Sequence, residues 1–104
     1  LLESRERPSA IFAANDVSAI ATMEVAVSMG LSIPDDLSVI GFDNIPESAL
    51  SDPPLTTIDQ SIQQMGYEAA KLLAGLINEP DQEPAHLTLP TALVVRQSCR
   101  AVPV

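Results

Sequence analysis

Two places in the sequence set polar side chains at the end of an apolar run. Asn15-Asp16 follow Ser9-Ala10-Ile11-Phe12-Ala13-Ala14, and Asp43-Asn44 follow Leu37-Ser38-Val39-Ile40-Gly41-Phe42. A carboxylate placed like this accepts from two vicinal hydroxyls, each charge-assisted bond contributing about 1.5 to 3 kcal/mol when sheltered from water. That chemistry suits a sugar or a similar polyol. The same residues also fit plainer roles. Asp16 is a good N-cap for the helical pattern behind it, because its carboxylate can accept from the first unpaired N–H groups. Asn15 is either a turn residue or a group free to face a ligand. Asp43 caps a turn or holds a ligand, and Gly41 marks a bulge or a close approach of another backbone.

Reaction chemistry lacks its parts. The chain has no nucleophile elbow, phosphate loop, CxxC, HExxH or dinucleotide fingerprint, and its 4 glycines are scattered. The one histidine, His86, reads as a surface or edge residue and the one cysteine, Cys99, as a packed thiol. No catalytic residue, metal set or cofactor is expected, and an α/β enzyme is the weakest of the functional classes considered.

The elements that must position the polar pairs form an α/β pattern. Residues 9–14 and 37–44 are short apolar runs of the kind found in parallel strands covered on both faces. In open parallel sheets a ligand crevice lies outside the carboxyl ends of the strands, where Asn15 and Asp43 stand. Residues 17–29 are apolar nearly all round, with Glu24 as the only charge, so a second face of this helix needs a cover, either a partner subunit or another helix of the same fold. Gly30 supplies its left-handed end. Asn44 is expected to cap a short helix with Pro46 just inside its start, and Asp52-Pro53-Pro54 leads stiffly into a β-branched strand over 55–59. The clearest helix runs from Ile62 to Ile77, with Met65, Leu72, Leu73 and Leu76 on one face and Gln63, Gln64, Glu68 and Lys71 on the other. Extended runs follow at 86–89 and 92–96, separated by Pro90.

Composition sets outer bounds. A chain of 104 residues is one domain or a piece of one, and its opening at Leu1 without an initiator methionine reads as a fragment. With 5 basic against 14 acidic residues and a net charge of −9, it lacks the lysines and arginines that displace counterions from nucleic acid. A lone cysteine excludes an internal disulfide and suits a reducing, cytoplasmic setting. With no 18-residue apolar run and no basic-then-apolar start, neither a membrane span nor a signal peptide is expected.

The ordered blocks Pro8-Ser9-Ala10-Ile11-Phe12-Ala13-Ala14-Asn15-Asp16, Gly30-Leu31-Ser32-Ile33-Pro34-Asp35-Asp36-Leu37-Ser38-Val39-Ile40-Gly41-Phe42-Asp43, Pro53-Pro54-Leu55-Thr56-Thr57-Ile58, Leu89-Pro90 and Leu93-Val94-Val95-Arg96-Gln97-Ser98-Cys99 resemble the C-terminal part of LacI/GalR-type transcription regulators. Ala21, where many members carry glycine, is a minor departure. The resemblance implies a partial periplasmic-binding-protein-like (type I) α/β domain, a parallel sheet with flanking helices, forming roughly the last third of a regulator. It implies effector contacts from Asn15, Asp43 and Ile62, and a structural role for Asp16. It implies a homodimer interface using Ile20, Met23, Glu24 and Val27 on the apolar helix and Ala49, Leu50 and Ser51 after the short one. It further implies that residues 1–58 belong to one lobe, 59–90 to the other, and 91–104 to a returning strand. The expected function is sensing of a sugar-like effector, with operator DNA contacted only through an N-terminal domain outside this chain. Without the other lobe walls the chain is expected to bind effector weakly unless chains associate. A sugar solute-binding protein of a transport system shares the fold and is the alternative.

Overall fold

Alanines on either side of Met23 on its inward stripe allow the first long helix to lie close on the sheet. In a computed structural model, which describes residues 1–102, the elements are β1 (Ala10–Phe12), α1 (Asp16–Ser28), β2 (Ser38–Ile40), α2 (Pro46–Leu50), β3 (Thr57–Asp59), α3 (Ile62–Asn78) and β4 (Ala92–Val94). Ala19, Met23 and Ala26 fall three and four residues apart on one stripe of α1 and are fully or almost fully buried. They pack with Ala13, Leu37, Val39 and Leu55 as the core, with Ile11, Ile20 and Leu31 half-buried at its edge. The helix ends in a Schellman arrangement. The N–H of Leu31 donates to Ala26 O and that of Gly30 to Val27 O, both at 3.0 Å, while Gly30 takes φ +86°.

β1 and β2 pair in parallel, Ile11 opposite Val39, as a βαβ unit requires. β3 and β4 pair antiparallel, Ile58 opposite Leu93. The two pairs are joined beyond the formal strand ends: Gly41 N–H donates to Thr56 O at 3.0 Å and Asp43 N–H to Ile58 O at 2.9 Å. Single bridges link Ile40 with Thr56 and Asp43 with Asp59, both parallel. The sheet is therefore parallel up to β3 and returns antiparallel in β4.

Each strand is shorter than its apolar run, and the expected extended run at residues 86–89 forms no ladder, because no described strand lies beside it to accept its N–H groups. Two capping expectations are corrected. Asn15, not Asp16, is the N-cap of α1, its Oδ1 accepting from Ser18 N–H at 2.8 Å. Asp16 is instead the first helical residue, fully buried. Its Oδ1 accepts from Thr57 Oγ1 at 2.5 Å and its Oδ2 from Ile45 N–H at 2.9 Å, so it clips the sheet to the turn before α2. Asn44 does not cap α2, whose N-cap is Ile45 without a side-chain bond.

Gly41 is required where it stands. A Cβ there would overlap Asp16 Oδ1 and come within 2.9 Å of Leu55 Cδ2. The close approach at Gly41 is to this chain's own Asp16, chiefly its side chain.

Helix α3 occupies the expected residues and buries none of them. It extends from the sheet as an arm, so the radius of gyration is 18.3 Å against about 13 Å for a compact chain of this length. None of the described helices is long and apolar enough to cross a membrane.

Candidate functional site

The backbone leaves the β conformation where β2 runs out. Asp43 has φ +132° and Asn44 φ +62°, values that L-residues adopt at a cost of about 1 to 3 kcal/mol each unless their surroundings hold them. Here they are held. Asp43 is tied through its N–H to Ile58 O, and its Oδ1 accepts from Gln60 Nε2. Asn44 Oδ1 accepts from Arg96 Nη2 at 2.8 Å, and its Nδ2 donates to Asp59 Oδ2 at 3.3 Å. A third left-handed residue, Ser61 at φ +55°, stands across from them as the N-cap of α3, its N–H donating to Asp59 Oδ1 at 2.7 Å.

Between these turns lies an open cleft of about 550 Å³ lined by Asp43, Asn44, Ile45, Pro46, Asp59, Ser61, Ile62, Gln63 and Gln64. One wall is the end of β2 and the turn before α2; the other is the first turn of α3. Two carboxylates and three amides beside Ile45, Pro46 and Ile62 make a surface that accepts and donates hydrogen bonds next to apolar ground, the equipment for holding a hydroxyl-bearing small molecule. No lysine, arginine or histidine lines it, so nothing in the lining compensates an anionic ligand. Among the described residues no cluster of His, Cys, Asp and Glu is arranged to hold a metal ion.

Of the expected site residues, Asp43 and Ile62 meet on this cleft. Asn15 is half-buried at the same end of the neighbouring strand, since Asp16 N–H donates to Phe42 O at 3.0 Å, but it does not line the cleft. Asp59, Ser61 and Gln63 were missed. Asp59 had a readable signal: it is a third acidic residue closing a β-branched run. Ser61 had none, because its left-handed backbone follows from the junction of β3 with α3.

A second concavity of about 270 Å³ lies on the far side of α1. Ile20, Met23, Glu24, Val27 and Ser51 line it together with Asp52. Ala49 and Leu50 are exposed on α2, Leu50 at 83 %. Met23 departs from the expectation of a surface residue: at 2 % exposure its side chain belongs to the core.

Residues 1–99 match the family described as periplasmic binding protein-like domain. The chain is 42% identical over 94 residues to the HTH-type transcriptional repressor PurR of Pasteurella multocida, covering 90% of this chain and 28% of that protein. It is 37% identical over 100 residues to the ribose operon repressor of Bacillus subtilis, covering 96% of this chain and 31% of that protein. The chain thus spans less than a third of the length of these relatives. Among solved structures it superposes on a LacI family transcriptional regulator from Enterococcus faecium with bound ribose at a TM-score of 0.86 and 38% identity, covering 94% of this chain and 36% of that one. With its fold, its ordered sequence blocks and these relatives in agreement, the chain belongs to the periplasmic-binding-protein-like domain family, within the branch of LacI/GalR-type transcription regulators.

Proposed function

We propose that this chain is the effector-sensing and dimerising portion of a DNA-binding transcription regulator, and that the effector is a neutral, hydroxyl-rich molecule of the sugar class. The observation that carries the reading is Asp43, held at the end of β2 in a left-handed backbone on the rim of a cleft that contains carboxylates and amides but no cation. Its second carboxylate oxygen takes no hydrogen bond from the described residues and is available to a hydroxyl. Ribose bound to a structural relative and the ribose operon repressor among the sequence relatives support the sugar class. The repressor relatives also favour a regulator over a transport binding protein.

In this reading residues 1–58 form one lobe, 59–90 contribute to the other, and 91–102 return to the first, with residues 103 and 104 of the expected returning segment outside the described residues. Two features support that division: β3 and β4 pass side by side between the sheet and α3, and α3 finds no packing partner on the first side. Asp43 and Ile62 contact the effector from opposite walls, and Asn15 supports the Asp43 side. Two copies associate through Ile20, Glu24 and Val27 on α1 and Ala49, Leu50 and Ser51 around α2. Operator DNA is contacted by a domain outside this chain, consistent with the net charge of −9. Effector binding then biases lobe closure and is coupled to operator affinity by about 1 to 3 kcal/mol.

Isothermal titration of the full-length regulator with ribose and other sugars, beside an operator shift assay at low salt, tests the reading. Sugar binding that shifts operator affinity is expected. Sugar binding with no DNA retained defeats it in favour of a solute-binding protein. Asp43→Ala is expected to weaken sugar binding at least about tenfold with folding retained, as loss of one charge-assisted bond implies. A normal response would remove Asp43 from the site.

A further inference from the structure

Arg96 is the one half-buried cation among the described residues, and all of its side-chain acceptors are neutral. Its Nη1 donates to Ser48 Oγ at 2.8 Å and to Leu55 O at 2.9 Å, and its Nη2 donates to Asn44 Oδ1 at 2.8 Å. Its base is fixed as well, since its backbone N–H donates to Thr56 Oγ1 at 2.9 Å. A guanidinium is a planar fork whose nitrogens sit at a set separation, so contacts to three acceptors fix the acceptors relative to one another.

The contact to Asn44 continues outward. Asn44 Nδ2 donates to Asp59 Oδ2, and Asp59 Oδ1 accepts from Ser61 N–H. The line Arg96, Asn44, Asp59, Ser61 therefore joins the segment after β4 to the N-cap of α3, passing through two of the three non-glycine residues with positive φ among the described residues. Those backbones persist only while their surroundings hold them. Asn44 is held by Arg96, and Ser61 by Asp59. At its other end the fork grips Ser48, which is fully buried in α2 beside the patch formed by Ala49, Leu50 and Ser51.

We propose that Arg96 is the positioning residue of the cleft. By fixing Asn44 and, through Asp59, the left-handed Ser61, it sets the direction in which α3 leaves the sheet and hence the separation of the two cleft walls. Because the same fork holds Ser48, a change in wall separation is felt at α2. Arg96 does not line the cleft and acts only through its neighbours. The consequence for binding rests on the cleft being the effector site; the positional role does not, and the two are tested separately.

Amide hydrogen exchange in the full chain reads the positional role without any effector. Arg96→Met is expected to speed exchange at Ser61 and Met65 about tenfold, with Ala13 and Asp16 within about twofold, as local opening rather than global unfolding gives. Asn44→Gly, which keeps the left-handed backbone but removes the middle of the line, is expected to reproduce the Ser61 change, and the double variant to add nothing further. Arg96→Lys is expected not to restore protection, because an ammonium has no fork. Unchanged exchange at Ser61 overturns the proposal. So does a rise spread evenly over Ala13, Asp16 and Ser61, which would reduce Arg96 to a packing residue, and so does full restoration by lysine. Titration of the full-length regulator with ribose supplies the second readout: weakening by Arg96→Met of about tenfold matching that of Asn44→Gly supports wall positioning. A wild-type full-length regulator indifferent to ribose counts against the sugar reading, while the exchange contrast still decides Arg96.

Discussion

Helices α1 and α3 invert what their sequences advertise. α3 has the cleaner division of apolar and polar faces, yet Leu73 and Ile77 are 60 % and 70 % exposed and no residue of the helix is buried. α1 has almost no polar back, yet it is the helix that packs, because Ala19 and Ala26 let it lie close on β2 around Met23. A periodic face states that a helix needs a cover. It does not state that the cover is on the same stretch of chain. What decides packing is the presence of a surface of matching shape, and the sheet supplies one only to α1.

The comparison divides the molecule into a packed body and an unpacked arm, and substitutions can break or sharpen that division. The largest effect is expected at Gly41, where any Cβ collides with Asp16 and Leu55. Gly41→Ala should cost at least about 3 kcal/mol in urea denaturation, the upper part of the range for overpacking at a tight site. Tolerance of that change would mean that the clip formed by Asp16 yields, and that the body is no more rigid than the arm. Leu55→Ala, at a fully buried position, is expected to cost about 3 kcal/mol by transfer and cavity terms together.

Val27→Asp probes the other side of α1, where the residue is 54 % exposed. Monomer stability should change little, while the dissociation constant of the proposed dimer, measured by light scattering across a concentration series, should rise about tenfold or more, as for an apolar interface residue given a charge. Unaltered association would move the interface off α1. The smallest effect is expected on the arm: Leu73→Ala should shift stability by no more than about 0.5 kcal/mol, the usual range for exposed positions. A cost equal to that of Leu55→Ala would show α3 packed in solution, against a second copy, and would erase the contrast.

Much of the site was legible for a physical reason. Asp43 ends an apolar strand, and a polar residue there is at the ligand end of a parallel sheet whatever the loops do. Ile62 was placed on the site only by the resemblance to LacI/GalR-type regulators, while Gly30 could be placed because a helix end needs a left-handed residue. Arg96 was read only as the end of a strand, since nothing local distinguishes a guanidinium that solvates itself from one that gathers Asn44, Ser48 and Leu55 from positions more than forty residues away. The exchange of roles between Asn15 and Asp16 was equally hidden. Both are good capping residues, and the choice fell to Thr57 and Ile45, which offer donors to a buried carboxylate.

By itself the sequence determined the order of most strands and helices, the left-handed end of α1 at Gly30, the acidic composition, and the family. These follow from local periodicity, from single residues with special backbones, and from composition, all of which are fixed before the chain folds. Only the tertiary structure decided which apolar faces find a cover, that Asp16 is buried as a clip, that Asp59 and Ser61 join Asp43 on one cleft, and that Arg96 ties them to α2. Those outcomes depend on distances between residues remote in the chain, and such distances exist only once the strands have paired.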